Sequence, residues 1–179
     1  MTQTKKLSKI ANESTFRIGD YEFIKFSDEN GIVTAVSKES LFDSVFGENN
    51  DLRKSSIIEK LKSDVLPGIE AIVGAENVLE FETDLLSLDG SAQYGEMKSK
   101  VSLPTFDFYR RNRAVFEKYK LDEWWWLATP DSTPEWNTDS FIICVSPAGI
   151  IGLVGYNGSS GGVRPFWNFA SSILVSCED

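Results

Sequence analysis

The side chains best suited to chemistry lie in one polar stretch, Pro130 to Asp139, where Asp131, Glu135 and Asp139 surround a single large ring, Trp136. Two such carboxylates are the equipment of glycoside hydrolysis, one protonating the leaving group and the other serving as base or nucleophile. Nothing in the sequence fixes their separation, and acids are frequent in solvated loops. Acyl transfer needs a nucleophile beside a base. The chain has no histidine, so its serines have no evident activator and the commonest metal ligand is absent as well. Cys144 and Cys177 are the only cysteines and form no Cys-x-x-Cys pair, which offers neither a zinc site nor a disulfide framework. A single Cys144–Cys177 bridge stays open. Cys144 lies in the apolar run Phe141-Ile142-Ile143-Cys144-Val145 and reads as a small buried hydrophobe. No catalytic residue is assigned, and the chain reads as non-enzymatic.

Two other motifs invite a ligand. Trp136-Asn137-Thr138-Asp139 resembles the Trp-Asn-Asp of calcium-dependent lectins, but Ca²⁺ takes ~6–8 oxygen ligands and no second carboxylate-amide cluster accompanies it. Gly158 to Gly162 lacks the lysine and following helix of a phosphate loop and reads as a hairpin loop. Neither a metal nor a cofactor is predicted. Recognition remains: Trp136 flanked by Asp131, Glu135, Asn137 and Asp139, with Tyr156 and Asn157 in a neighbouring loop. Aromatic rings anchor interfaces, and acids set the on-rate toward basic partners.

Charge agrees with that reading. The formal net charge is −9, from 27 acids and 18 bases, which argues against general affinity for nucleic-acid backbones or anionic membranes. From Leu121 onward seven acids face one base, Arg164, so the last third is the acidic pole. No apolar run approaches the ~20 residues of a membrane span, and the basic N-terminal residues precede no apolar signal segment. These features predict a protein kept in the cytosol or packed into a particle.

The elements that must position these loops follow from periodicity. Residues 1–15 read as an arm and 16–179 as one domain. Phe16 to Phe26 alternates around Gly19-Asp20 as a hairpin, and Asn30-Gly31 turns into the β-branched strand Ile32 to Val36. An amphipathic helix follows Asn49-Asn50-Asp51 and ends or kinks at Pro67-Gly68, with Ile69 to Val73 offering another turn before Gly74 stops it. Val78 to Leu88 is extended, 89–95 is loop, and a second helix starts near Thr105 with Phe106, Tyr109, Arg113 and Phe116 on one face. Trp124-Trp125-Trp126 then puts large rings on both sides of a strand, so that strand must be covered twice. Strands at 141–145, 150–156 and 163–169 complete an α+β chain whose sheet joins its N- and C-terminal ends.

This order resembles an uncharacterised domain family of Gram-positive bacteria and their phages. The Gly19-Asp20 strand, the helix start at Asn50 to Lys54, the Leu85 to Leu88 segment, Leu103-Pro104-Thr105, Trp-Trp-Leu-x-x-Pro at 125–130 and Gly162-Val163-Arg164-Pro165 with Asn168-Phe169 carry the likeness. It covers roughly Phe16 to Val175. Family members typically carry Arg-Ser after the Trp-Trp-Leu, where this chain has Ala128-Thr129, and often have a longer segment before the tryptophans. The resemblance implies a C-type-lectin-like fold: an antiparallel sheet from both chain ends, two flanking helices and a smaller second sheet. It makes Trp124, Trp125, Trp126, Arg164 and Pro165 the structural signature. Arg164, the one base of the acidic third, reads as a buried or half-buried guanidinium hydrogen-bonded to carbonyls or to a carboxylate and locking the last strand onto the tryptophan strand, the alternative being an anion contact. Together with the charge, it predicts a phage- or mobile-element-encoded protein that occupies a basic surface of a host protein, for example as an anti-CRISPR-like nuclease inhibitor in the host cytosol. The alternatives are a virion or surface module binding glycan or cell wall, or a structural particle component.

Overall fold

Both chain ends enter one sheet. In the computed structural model, which describes residues 2–178, β1 (Thr2–Lys6) pairs antiparallel with the last strand, β15 (Leu174–Glu178). Strands β2 (Thr15–Ile18), β3 (Tyr21–Glu29) and β4 (Ile32–Ser37) form a meander between β15 and β14 (Phe166–Ala170). Its turns are those the sequence predicts: Gly19 has φ 57°, and Asn30-Gly31 has φ 53° and 80°, the left-handed pair a tight hairpin demands. The far side of β14 receives β6 (Val78–Leu79) and β9 (Val101–Ser102). A second sheet has the order β12-β11-β10-β13-β5, with β5 at Asp43–Ser44, β10 at Trp125–Pro130, β11 at Phe141–Val145, β12 at Ile151–Gly155 and β13 at Gly161–Gly162. A separate hairpin joins β7 (Phe81–Asp84) to β8 (Glu96–Ser99). The chain is α+β, and its sheets are antiparallel apart from the β10–β13 contact.

Residue 1 lies outside the described residues, and residues 2–15 are not a loose arm. Beyond β1, Leu7 is fully buried and Ile10 nearly so, because Lys25 reaches into this turn from β3. Its Nζ donates to Leu7 O at 3.1 Å, Ile10 O at 2.9 Å and Asp28 Oδ2 at 3.0 Å. All three ammonium protons thereby find acceptors, which is what makes a buried lysine tolerable. Composition concealed this, since the lysine that fixes the segment lies outside it.

The first helix continues past Pro67-Gly68 to its stop at Gly74. Ser55 caps α1 (Ser56–Lys60), its hydroxyl accepting from Ile58 N, as N-cap serines do. The chain widens to a π turn over Leu61–Val65 and resumes as α2 (Leu66–Val73), ending at Gly74 with φ 90°. Pro67 falls in the first turn of α2, immediately after the π turn. The second helical segment breaks at Asn112 into α3 (Phe106–Arg111) and α4 (Arg113–Lys118).

The tryptophan strand divides the interior. Every residue of β10 is buried. Trp126 and Ala128 face one core with Ile142, Cys144 and the apolar side of α1 and α2; Trp125 and Leu127 face a second with Ile143, Val145, Tyr109 and Phe116. At 150–250 Å² per ring and ~25 cal/mol per Å², each fully buried tryptophan contributes an upper estimate of about 4–6 kcal/mol. Trp126 Nε1 is satisfied by Ser44 O at 2.8 Å. Trp124, half-buried, stands edge-on to Trp126 at 4.7 Å and explains the glycines that follow.

Gly158 to Gly162 is not a simple hairpin loop. The chain passes from β12 to the other side of β10, where Gly162 pairs parallel with Trp125 and antiparallel with Asp43. A Cβ on Gly161 would lie 2.2–2.7 Å from Trp124 ring atoms, so only glycine passes there. The strand read at 163–169 accordingly begins at Phe166, after the turn that carries Arg164 and Pro165. Cys144 and Cys177 are both free thiols and both buried.

Candidate functional site

β10 ends at Pro130 and β11 begins at Phe141, so the intervening loop must leave one end of the second sheet and return to it. Its base is tied to a buried amide. Asn50 Nδ2 donates to Ser132 O at 2.9 Å and Phe141 O at 3.0 Å, and Asn50 Oδ1 accepts from the Tyr94 hydroxyl at 2.7 Å. The backbone N–H of Asn50 donates to Asp139 O. Burial, then the nearby Asp51 and Asp139 carboxylates, push the Tyr94 hydroxyl up to about 12, so it stays a proton donor. Asp51 in turn accepts from Arg53 Nε at 2.8 Å and Nη2 at 2.6 Å, and the guanidinium rests over the Tyr94 ring at 5.3 Å. The Asp51 hydrogen bonds raise the Arg53 pKa above its ordinary value.

The tip of the loop is sewn to residues 87–93. The Ser132 and Ser87 hydroxyls each donate to Asp89 at 2.5 Å, and these bonds hold its carboxyl below the usual aspartate value. Ser91 Oγ contacts Thr133 Oγ1 at 2.6 Å and Glu135 Oε2 at 3.1 Å, while Glu135 N donates to Gln93 Oε1 at 2.9 Å. Trp136 N and Asn137 N both donate to Thr133 O. On this fixed backbone the Trp136 ring is 60% exposed, with its edge 3.9 Å from where a Cβ on Gly90 would stand.

The predicted binding residues therefore gather at one end of the second sheet, with differing exposure. Glu135, Trp136, Asn137 and Asn157 are exposed, and Asp131 and Asp139 are half-buried. Tyr156 is not the exposed ring expected: it packs against the main core, and its carbonyl accepts from Phe46 N and Gly47 N. The loop 146–149 lies at the opposite end of β11, where Tyr109 donates its hydroxyl to Gly149 O at 3.3 Å. Among the described residues no three His, Cys, Asp or Glu side chains cluster as a metal site.

Arg164 is structural. It is 1% exposed, its Nε donates to Ser37 O at 2.8 Å and its Nη2 to Tyr119 O at 3.1 Å. The guanidinium lies over both Phe116 and Trp125, at 5.3 and 5.2 Å. Burial lowers its pKa to about 10. It joins the end of β4 to the chain ahead of the tryptophans through two carbonyls, and it stacks on Trp125 instead of bonding to that strand.

Sequence reasoning missed the neighbours of Trp136. Leu86 and Leu88 are 44% and 48% exposed and line, with Ser87, Gly90, Thr105, Phe106, Asp107, Arg110 and Thr129, a cleft of about 250 Å³. Gly90 belongs to this cleft, and a Cβ built on it would lie 3.9 Å from the Trp136 ring, so the indole stands near the Gly90 end of the cleft. The sequence marks Val78 to Leu88 only as extended; at its end Leu85 and Ser87 are buried, whereas Leu86 and Leu88 turn outward.

Comparison of the chain with family models, curated proteins and solved structures gives no match. The site has to be understood from its own geometry.

Proposed function

We propose that this chain is a non-enzymatic recognition protein of C-type-lectin-like fold that docks a basic surface of a macromolecular partner through Trp136. The observation that carries this reading is an indole 60% exposed on a loop already fixed by Asn50, Asp89 and Ser91. A ring ordered before binding loses little further entropy on docking, and tryptophan is among the commonest interface anchors. Asp131, Glu135 and Asp139 share its loop and Asp89 is bonded to Ser132 of that loop, and an ionised Asp89 is favoured by its two hydroxyl donors. Such a rim accelerates encounter with a basic partner and makes binding salt-dependent.

The fold part of the proposal is supported by the shared sheet of the two chain ends, the flanking helical segments and the second sheet that carries the loops. The non-enzymatic part is supported by the absence of histidine and by the position of Cys144, whose thiol is pushed up by burial and is accordingly a poor nucleophile. The acidic last third favours a host protein with a basic groove, such as a nucleic-acid-guided nuclease. Occupation of that groove would make the chain an anti-defence protein of a phage or mobile element, acting in the host cytosol. No helix of the described residues is long and apolar enough to cross a membrane.

The test is capture from host lysate on immobilised wild-type chain beside Trp136→Ala and Glu135→Lys. A partner that both substitutions and moderate salt release supports the reading. A partner retained by both variants, or glycan-array binding in place of protein capture, sinks it.

A further inference from the structure

Strand β7 borders a groove that nothing in the described chain fills. Four consecutive residues, Phe81, Glu82, Thr83 and Asp84, line it. Side chains alternate across a strand, so four in succession can border one groove only where the strand turns its backbone edge toward it. That edge is open. β7 pairs with β8 alone, and among the described residues no backbone hydrogen bond joins 81–84 to a third strand. The opposite wall is the start of α3, at Thr105 and Phe108, and the floor is Leu103 and Phe166. The Phe166 ring stands 5.0 Å from Phe81 and 4.9 Å from Phe108. The groove measures about 230 Å³ and shares Asp84 and Thr105 with the cleft that runs to Gly90.

The chemistry of the two sides of β7 identifies an occupant. Phe81 and Thr83 lie on its inner side, half-buried and buried, while Glu82 and Asp84 are exposed on its outer side. Thr83 Oγ1 is buried with no hydrogen-bond partner among the described residues. Arg110 is the one cation lining either cavity, and Asp107 already holds it at 2.8 Å. An added strand must therefore place apolar side chains beside Phe81 and Thr83, over the phenylalanines, and cations beside Glu82 and Asp84, since cross-strand pairs of opposite charge stabilise a sheet and like pairs do not. A second copy paired through the same edge would set Glu82 and Asp84 against their own counterparts.

We propose that β7 accepts an extended peptide segment of alternating apolar and basic residues as the third strand of its hairpin. Main-chain bonds supply the attachment and the alternation supplies the selectivity, as in other strand-addition sites. Trp136 does not line this groove, so the site stands or falls independently of the function proposed above.

The probe is a fluorescein-labelled peptide of alternating valine and lysine, titrated by anisotropy against the full chain, with amide exchange of residues 81–84 followed in parallel. The expected result is saturable binding that slows exchange in β7. N-methylation of one alternate set of peptide nitrogens should abolish it. Glu82→Lys, at an exposed position, should weaken it about fivefold or more, and Trp136→Ala should leave it unchanged. The inference is overturned if the peptide fails to bind, if both alternately methylated peptides bind as well as the parent, or if a valine–glutamate peptide binds equally. It is also overturned if sedimentation shows a dimer that Glu82→Lys dissociates.

Discussion

Replacing Asn50 by alanine tests whether the Trp136 loop is held from beneath. Asn50 is fully buried and makes three side-chain hydrogen bonds, to Tyr94, Ser132 and Phe141. At ~0.5–1.5 kcal/mol net for each, with a buried tyrosine hydroxyl left unmatched, the loss comes to about 3–4 kcal/mol. Two assays separate the local from the global part. Urea denaturation gives the total, and native-state hydrogen exchange reports where protection is lost. The amides of Trp136 and Asn137, bonded to Thr133 O, should exchange faster, beyond what the global loss produces in β14 and β15. Asn50→Asp should be worse than alanine, because it turns a carboxylate toward two carbonyl oxygens next to Asp51. A change under about 1 kcal/mol, or equal acceleration across the whole chain, would refute the idea that this amide positions the loop.

Other expectations concern the core, the crossing of β13 and acid. Trp126→Ala empties a fully buried site and leaves Ser44 O without its donor; unfolding free energy should fall by about 3–5 kcal/mol, measured in urea. Gly161→Ala must displace the Trp124 ring at a cost of about 1–3 kcal/mol, seen as a Tm lowered by several degrees. Asp89 has a native pKa below its ordinary 3.8. Its contribution is present above that value and is lost as pH falls below 3.8 and through the lowered native value. Protection of the Trp136 amide, taken relative to its intrinsic exchange rate at each pH, should fall in that acid window, and Asp89→Asn should remove this pH dependence.

The meander was legible because its turns are local: Gly19-Asp20 and Asn30-Gly31 need only their own left-handed backbone. The double coverage of the tryptophan strand was equally legible, since three adjacent rings cannot share one face of a strand. What escaped the sequence is long-range. Lys25 fixes a segment 15 to 18 residues before it, and Asn50 reaches 91 residues ahead to Phe141. Glycine at 161 looked like loop composition until the Trp124 ring was seen against it. Trp136 itself was found correctly as an exposed ring among acids, whereas Tyr156, read the same way, packs inward. The open edge of β7 left no trace in the sequence, because an unpaired edge depends on which strands fail to arrive.

The most direct test of the recognition account is the affinity of the captured partner for wild type and Trp136→Ala, measured by calorimetry at low and moderate salt. The substitution should leave the Tm within a few degrees of wild type, because the ring is exposed, and should weaken binding by at least ~2 kcal/mol, roughly thirtyfold. Wild-type affinity should fall as salt rises. A folded Trp136→Ala that binds the partner as tightly as wild type would contradict the account.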